Sequence, residues 1–149
     1  MRKLLFFLFM NLSIYAQSDK INYIELIYEH SWQNFATSVR IESSFVNNAE
    51  PVKLRACVGE KCRDTLLSRE SFDKLYNAVI NIEPKKMAEG FEIGGDGAVT
   101  TIKFGSLSNN ISYSIWGVDK DDAIFTFTDF LKAAQLILEF AKLKIEEIN

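Results

Sequence analysis

Short runs in which apolar and polar residues strictly alternate restrict this fold more than any other feature of the chain. Period-two spacing turns every second side chain to the same side, so each run predicts a strand with one dry face and one wet face. In Thr37 to Phe45, Val39, Ile41 and Phe45 alternate with Ser38, Arg40, Glu42 and Ser44. After the turn-rich Asn47-Asn48-Ala49-Glu50-Pro51, Val52, Leu54, Ala56 and Val58 face one way and Lys53, Arg55 and Cys57 the other. Ile21 to His30 carries a weaker version, Ile24, Leu26 and Tyr28 against Glu25 and Glu29, interrupted by Ile27. Farther along, Ile102 and Phe104 alternate with Thr101 and Lys103, and Ile111, Tyr113 and Ile115 with Ser112 and Ser114. Gly105 to Asn110 between these two runs reads as a polar hairpin loop.

Two segments carry the helical period instead. Ser68 offers an N-cap oxygen, and Phe72, Leu75, Tyr76, Val79 and Ile80 then recur on one helical face. That helix ends by Glu83, because Pro84 has no N–H and biases its predecessor away from the α region. Pro84 to Glu89 reads as a charged linker, followed by a short strand candidate at Phe91-Glu92-Ile93. A second helix is expected from Phe125 or Thr128 to Ile148, with Thr128 as its cap and Phe130, Ala134, Ile137, Leu138, Ala141 and Ile145 as its core stripe. Leu131, Leu136, Phe140 and Leu143 widen the apolar surface past that stripe, which reads as burial against a sheet and a neighbouring helix or, alternatively, as a partner-binding face. The expected class is α+β: an antiparallel sheet of about five to six strands, in the order β-β-β-α-β-β-α, with two helices packed on one face.

The first sixteen residues belong to a different logic. Arg2 and Lys3 precede an apolar run from Leu4 to Met10, weakly continued by Leu12 and Ile14, and Ala16 stands before the polar Gln17-Ser18-Asp19. These are the three parts of a secretory signal, so residues 1–16 are expected to be removed and residues 17–149 to form a single domain. The apolar run is shorter than the ~20 residues that span a bilayer. No cysteine lies near the cleavage point to carry a lipid, and the apolar C-terminal stretch from Ala123 to Ile148 contains Asp129, Lys132, Glu139, Lys142 and Lys144. The product is therefore expected to be periplasmic or secreted, neither lipid-anchored nor stably inserted in a membrane.

Charge narrows the partners. The whole chain has 17 basic and 20 acidic residues, net −3, and removing the signal deletes two basic residues and no acidic one. An acidic surface of this kind makes binding to nucleic acid by charge a poor reading. Cys57 and Cys62 are the only cysteines, and Val58-Gly59-Glu60-Lys61 between them can make a tight turn. An even count at short spacing in an exported chain predicts a disulfide. The spacing is not Cys-x-x-Cys, and one histidine with no second cysteine pair cannot build a structural zinc site, so neither metal nor cofactor is expected.

Catalytic chemistry finds few carriers. His30 is the single imidazole, so any Ser-His-Asp or Cys-His mechanism has to pass through it. Ser31 and Glu29 are its immediate neighbours and would point to the opposite face of a strand. Gly94-Gly95-Asp96-Gly97 is followed by a strand pattern rather than a helix N-terminus, so it reads as a turn and not a phosphate cradle. Asp119, Asp121 and Asp122 lack the glycine and distal glutamate of a calcium loop. What stands out is a set of aromatics at loops and strand ends, Trp32, Phe35, Phe91 and Trp116, of the kind that recognition surfaces use. Trp116 falls by alternation on the side of Ser112 and Ser114. These features favour an exported, non-enzymatic module that binds another protein, of the inhibitor or immunity type. A small hydrolase using His30 and a carrier of an apolar ligand are the alternatives.

Overall fold

The computed structural model describes residues 21–31, 36–44, 50–89, 97–106, 108–116 and 127–143. Within them, four strands, β1 (Tyr23–His30), β2 (Ala36–Glu42), β3 (Val52–Val58) and β4 (Lys61–Leu67), lead into α1 (Arg69–Ile80). A short α2 (Pro84–Glu89), β5 (Ala98–Gly105), β6 (Asn110–Trp116) and α3 (Thr128–Phe140) complete the order. All pairings are antiparallel, and the strands lie in the sequence β4-β3-β2-β1-β5-β6 across one six-stranded sheet. The expected α+β class, with helices on an antiparallel sheet, is the observed one.

Period two sorts the faces as it should. Ile24, Leu26, Val39, Ile41, Val52, Leu54 and Ile102 are fully or almost fully buried on one side, beneath Phe72, Leu75 and Val79 of α1 and Phe130, Ala133 and Ile137 of α3. They form a single contiguous core in which α1 also packs beside α3. Each fully buried Leu, Ile or Phe side chain contributes about 1.5–3 kcal/mol by leaving water, which is why the helices stay on this face. Leu131, Leu136, Phe140 and Leu143 are half-buried and packed against that same core.

β4 is the strand that alternation did not predict. Six of its seven residues are exposed and only Leu67 is buried, so it has no apolar stripe to recognise. It is held instead by backbone pairing to β3 and by the Cys57–Cys62 disulfide, which joins two residues directly opposite each other with Cα atoms 4.0 Å apart. Gly59, at φ 58°, makes the two-residue turn between these strands possible. The strand expected at Phe91 lies outside the described residues.

The helix ends follow local chemistry with two departures. Ser68 Oγ accepts the Ser71 N–H at 3.1 Å, the expected N-cap of α1. Pro84 does more than close that helix: it opens α2, since a proline at the first helical position has no orphan N–H and a preset φ, so the expected linker is a short helix. Lys86 pairs with Glu83 at 3.0 Å beside it. At α3 the cap position falls on Phe127, which has no side-chain cap hydrogen bond, and Thr128, expected at that position, is the first helical residue. The described helix stops at Phe140, well before Ile148, and residues 144–149 lie outside the described set.

That stop is a Schellman motif. The Lys142 N–H donates to Glu139 O at 2.9 Å and the Leu143 N–H to Leu138 O at 3.0 Å, while Lys142 sits at φ 50°. Arg63, on the helix-covered side of β4, donates to the carbonyl of Ala141, setting a positive charge at the negative end of the helix dipole. A lysine in the left-handed region carries a steric cost that glycine avoids. Lys142→Gly is therefore expected to stabilise the protein by about 0.5–1 kcal/mol after the extra freedom of glycine in the unfolded chain is subtracted. Urea unfolding at constant slope measures it; an unchanged or lower midpoint would contradict the assignment of this cap.

Candidate functional site

Opposite the helices, the sheet presents a face whose pattern appears only once the strands are in register. Asp64, Arg55, Arg40, Glu25, Lys103 and Ser112 line up as one lateral row, one residue from each strand. Arg55 and Arg40 are direct neighbours, a repulsive arrangement that each relieves with its own acid. Arg55 grips Asp64 in a two-pronged pair, Nε to Oδ1 at 2.8 Å and Nη2 to Oδ2 at 3.0 Å. Arg40 pairs with Glu42 on its own strand and with Glu25 across the sheet at 3.4 Å, and its guanidinium lies 5.0 Å from the centre of the Tyr23 ring.

These hydrogen bonds place the charges rather than hold the fold, because exposed pairs are weakened by water and salt. The Arg55 hydrogen bonds hold the Asp64 carboxyl below the usual carboxylate range. With the folded value depressed, the pair is intact above the ordinary carboxylate pKa and is lost only as pH falls through the lowered value. The Arg55–Asp64 pair therefore persists through neutral and mildly acidic conditions. Along this row, Arg40, Glu42, Lys53, Arg55, Asp64 and Leu66 bound an open groove of about 710 Å³.

The aromatics singled out from the sequence divide into one described residue and three that are not. Trp116 is half-buried at the end of β6, opposite Val99 and on the same face as Ser112 and Ser114. Its ring rests against Gly97, where an added Cβ would lie 2.9 Å from the indole; Gly97 also has φ 150°, so only glycine fits this approach. Trp32, Phe35 and Phe91 lie outside the described residues. Ser31 and Ala36, the described residues that bracket Trp32 and Phe35, stand at the same end of the sheet as Trp116, since β1 ends and β2 begins there.

His30 is the last residue of β1, half-buried and opposite Ala98. It falls on the helix-covered side with Tyr28, whereas Glu29 pairs between Ala36 and Val99 on the other side. Ser31 is committed to the turn: its N–H donates to Gly97 O at 3.0 Å and its Oγ accepts the Gly97 N–H at 3.3 Å. Among the described residues, no three His, Cys, Asp or Glu side chains converge as a metal site would require. Asp119, Asp121 and Asp122, and most of the glycine cluster at Gly94, lie outside them.

The charged row escapes a strand-by-strand reading, in which Arg40, Arg55 and Lys103 are simply the wet sides of separate strands. The signal was present as charges at alternate positions, but collinearity depends on register, which no single strand carries. Among the described residues no helix is long and apolar enough to cross a membrane. Compared with known proteins, the chain matches no family model and no curated protein, so its own residues carry the functional argument.

Proposed function

We propose that this protein is an exported, non-enzymatic module that binds another protein, of the inhibitor or immunity type, through the helix-free face of its sheet. The observation that carries this reading is the lateral charged row, with Tyr23 against Arg40 and Trp116 farther along the same open face. Ordered guanidinium and carboxylate groups beside aromatic rings suit recognition of a protein surface, where charge complementarity sets partner choice and association rate. The disulfide agrees with an oxidising compartment, and the segment 1–16 has the three parts of an export signal. Ser31, tied to Gly97, is a poor nucleophile for a hydrolase based on His30. A carrier of apolar ligands needs space between helices and sheet; one contiguous core occupies the centre, and what is open is a groove at the edge beside Ile80 and Ile111.

The reading is tested by affinity capture from envelope and secreted fractions with the native protein and an Arg40→Ala/Arg55→Ala variant. Both positions are exposed on a regular sheet, so stability is expected to change by roughly 0.5 kcal/mol or less per site. Binding of a specific protein is expected to weaken at least about tenfold in the variant. Failure to capture a specific protein, or capture equally strong with the variant, would count against this face as the binding site.

A further inference from the structure

The two edges of the sheet are built differently. β4 exposes Lys61, Arg63 and Asp64, the charges with which edge strands discourage pairing. β6 reads Asn-Ile-Ser-Tyr-Ser-Ile-Trp, with no charge, no proline and no bulge, and among the described residues no strand pairs with its outer edge. Ile111 is 48% exposed and Ile80 of α1 is 47% exposed. They stand together on an open apolar groove of about 430 Å³ that also includes Ile82, Phe104 and Tyr113.

The sequence of β6 is also its own mirror about Tyr113: Ile111-Ser112-Tyr113-Ser114-Ile115 reads the same in both directions. An antiparallel two-fold contact must pair each residue with its counterpart on the other side of the axis. Centred on Tyr113, such a contact uses all seven residues of the strand, sets isoleucine against isoleucine and serine against serine, and keeps every residue on its own face. The same operation on β4, centred on Asp64, would set that carboxylate against its own copy. We infer that β6 is a self-association edge, and that its partner is β6 of a second copy of this chain, paired antiparallel about Tyr113.

The contact joins two six-stranded sheets into one, with the helices of both copies on the same side. It brings Ile111 of each copy against Ile115 of the other and extends the apolar groove across the axis. The charged faces then lie side by side on a single surface. This inference is independent of what that surface binds.

Sedimentation velocity and equilibrium of the purified protein are expected to show a reversible dimer. Amides of Asn110–Trp116 should exchange more slowly as protein concentration rises, a readout that needs no substitution. Ser112 and Ser114 face each other across the proposed axis and are both exposed. The double variant Ser112→Glu/Ser114→Glu sets like charges opposite one another twice and is expected to raise the dimer dissociation constant about tenfold or more. Ser112→Glu/Ser114→Lys sets opposite charges there and should restore association. A chain that is monomeric with concentration-independent exchange in β6 would overturn the inference. So would a dimer indifferent to both variants, or a monomer whose groove holds a co-purified apolar molecule.

Discussion

Truncating Phe130 to alanine should lower the free energy of unfolding by about 3–5 kcal/mol, a loss that urea denaturation followed by far-ultraviolet circular dichroism would register as a large fall in midpoint. Phe130 is 1% exposed, and its ring belongs to the same contiguous core as Ile24, Leu26 and Ile102. The expected loss combines the transfer energy of the ring with the cavity left behind, and the size of the cavity term depends on how far α3 can settle toward the sheet. Against a total stability of about 5–15 kcal/mol for a domain of this size, this single change removes a large share. A loss below about 1 kcal/mol would mean that α3 is not part of the core, and the arrangement of helices over the sheet would have to be abandoned.

Breaking the Cys57–Cys62 bond should have the second largest effect, about 2 kcal/mol by loop-closure entropy, because the loop it closes is short. The consequence reaches beyond the hairpin. β4 buries one residue of seven, so backbone pairing and the disulfide hold it in place; Arg63 on that strand also donates to the last turn region of α3 through Ala141. Reduction, or the paired variant Cys57→Ser/Cys62→Ser, should therefore speed hydrogen exchange in Lys61–Leu67 first, while β1, buried at the centre of the sheet, stays protected. Uniform loss of protection across the sheet would show that β4 is part of the global folding unit instead. An unchanged unfolding midpoint after reduction would show that the bond adds nothing.

The contrast between β3 and β4 explains which elements were legible. β3 advertises itself with Val52, Leu54 and Ala56 buried between exposed Lys53 and Arg55, because its side chains do the packing. β4 has no such pattern, because an edge strand pairs through its backbone and exposes both faces at its rim. The turn and the disulfide that create it were readable from Gly59 and the two cysteines, yet the strand itself was not. The same limit applies at Pro84: its power to end α1 comes from the missing N–H, but whether a new helix starts there depends on the residues around it, and Lys86 with Glu83 supports one turn more. Of the candidate site, Trp116 was assigned to its face correctly by alternation, while the charged row was invisible because it is a property of six strands together.

Local chemistry by itself determined most of the dry positions, though not the exposure of Ile80 and Ile111, as well as where α1 begins and that helices cover one face of an antiparallel sheet, since side-chain period and capping act over a few residues. Only the tertiary structure decided that β1 is central, pairing with β2 from one side and with β5 from the other. It also decided that β4 and β6 are the edges and that Asp64, Arg55, Arg40, Glu25, Lys103 and Ser112 share a line. Strand order and register are chosen by long-range pairing of whole apolar faces, which strands separated by α1 and α2 reach only in the folded chain. The surface on which function is proposed belongs entirely to that second kind of information.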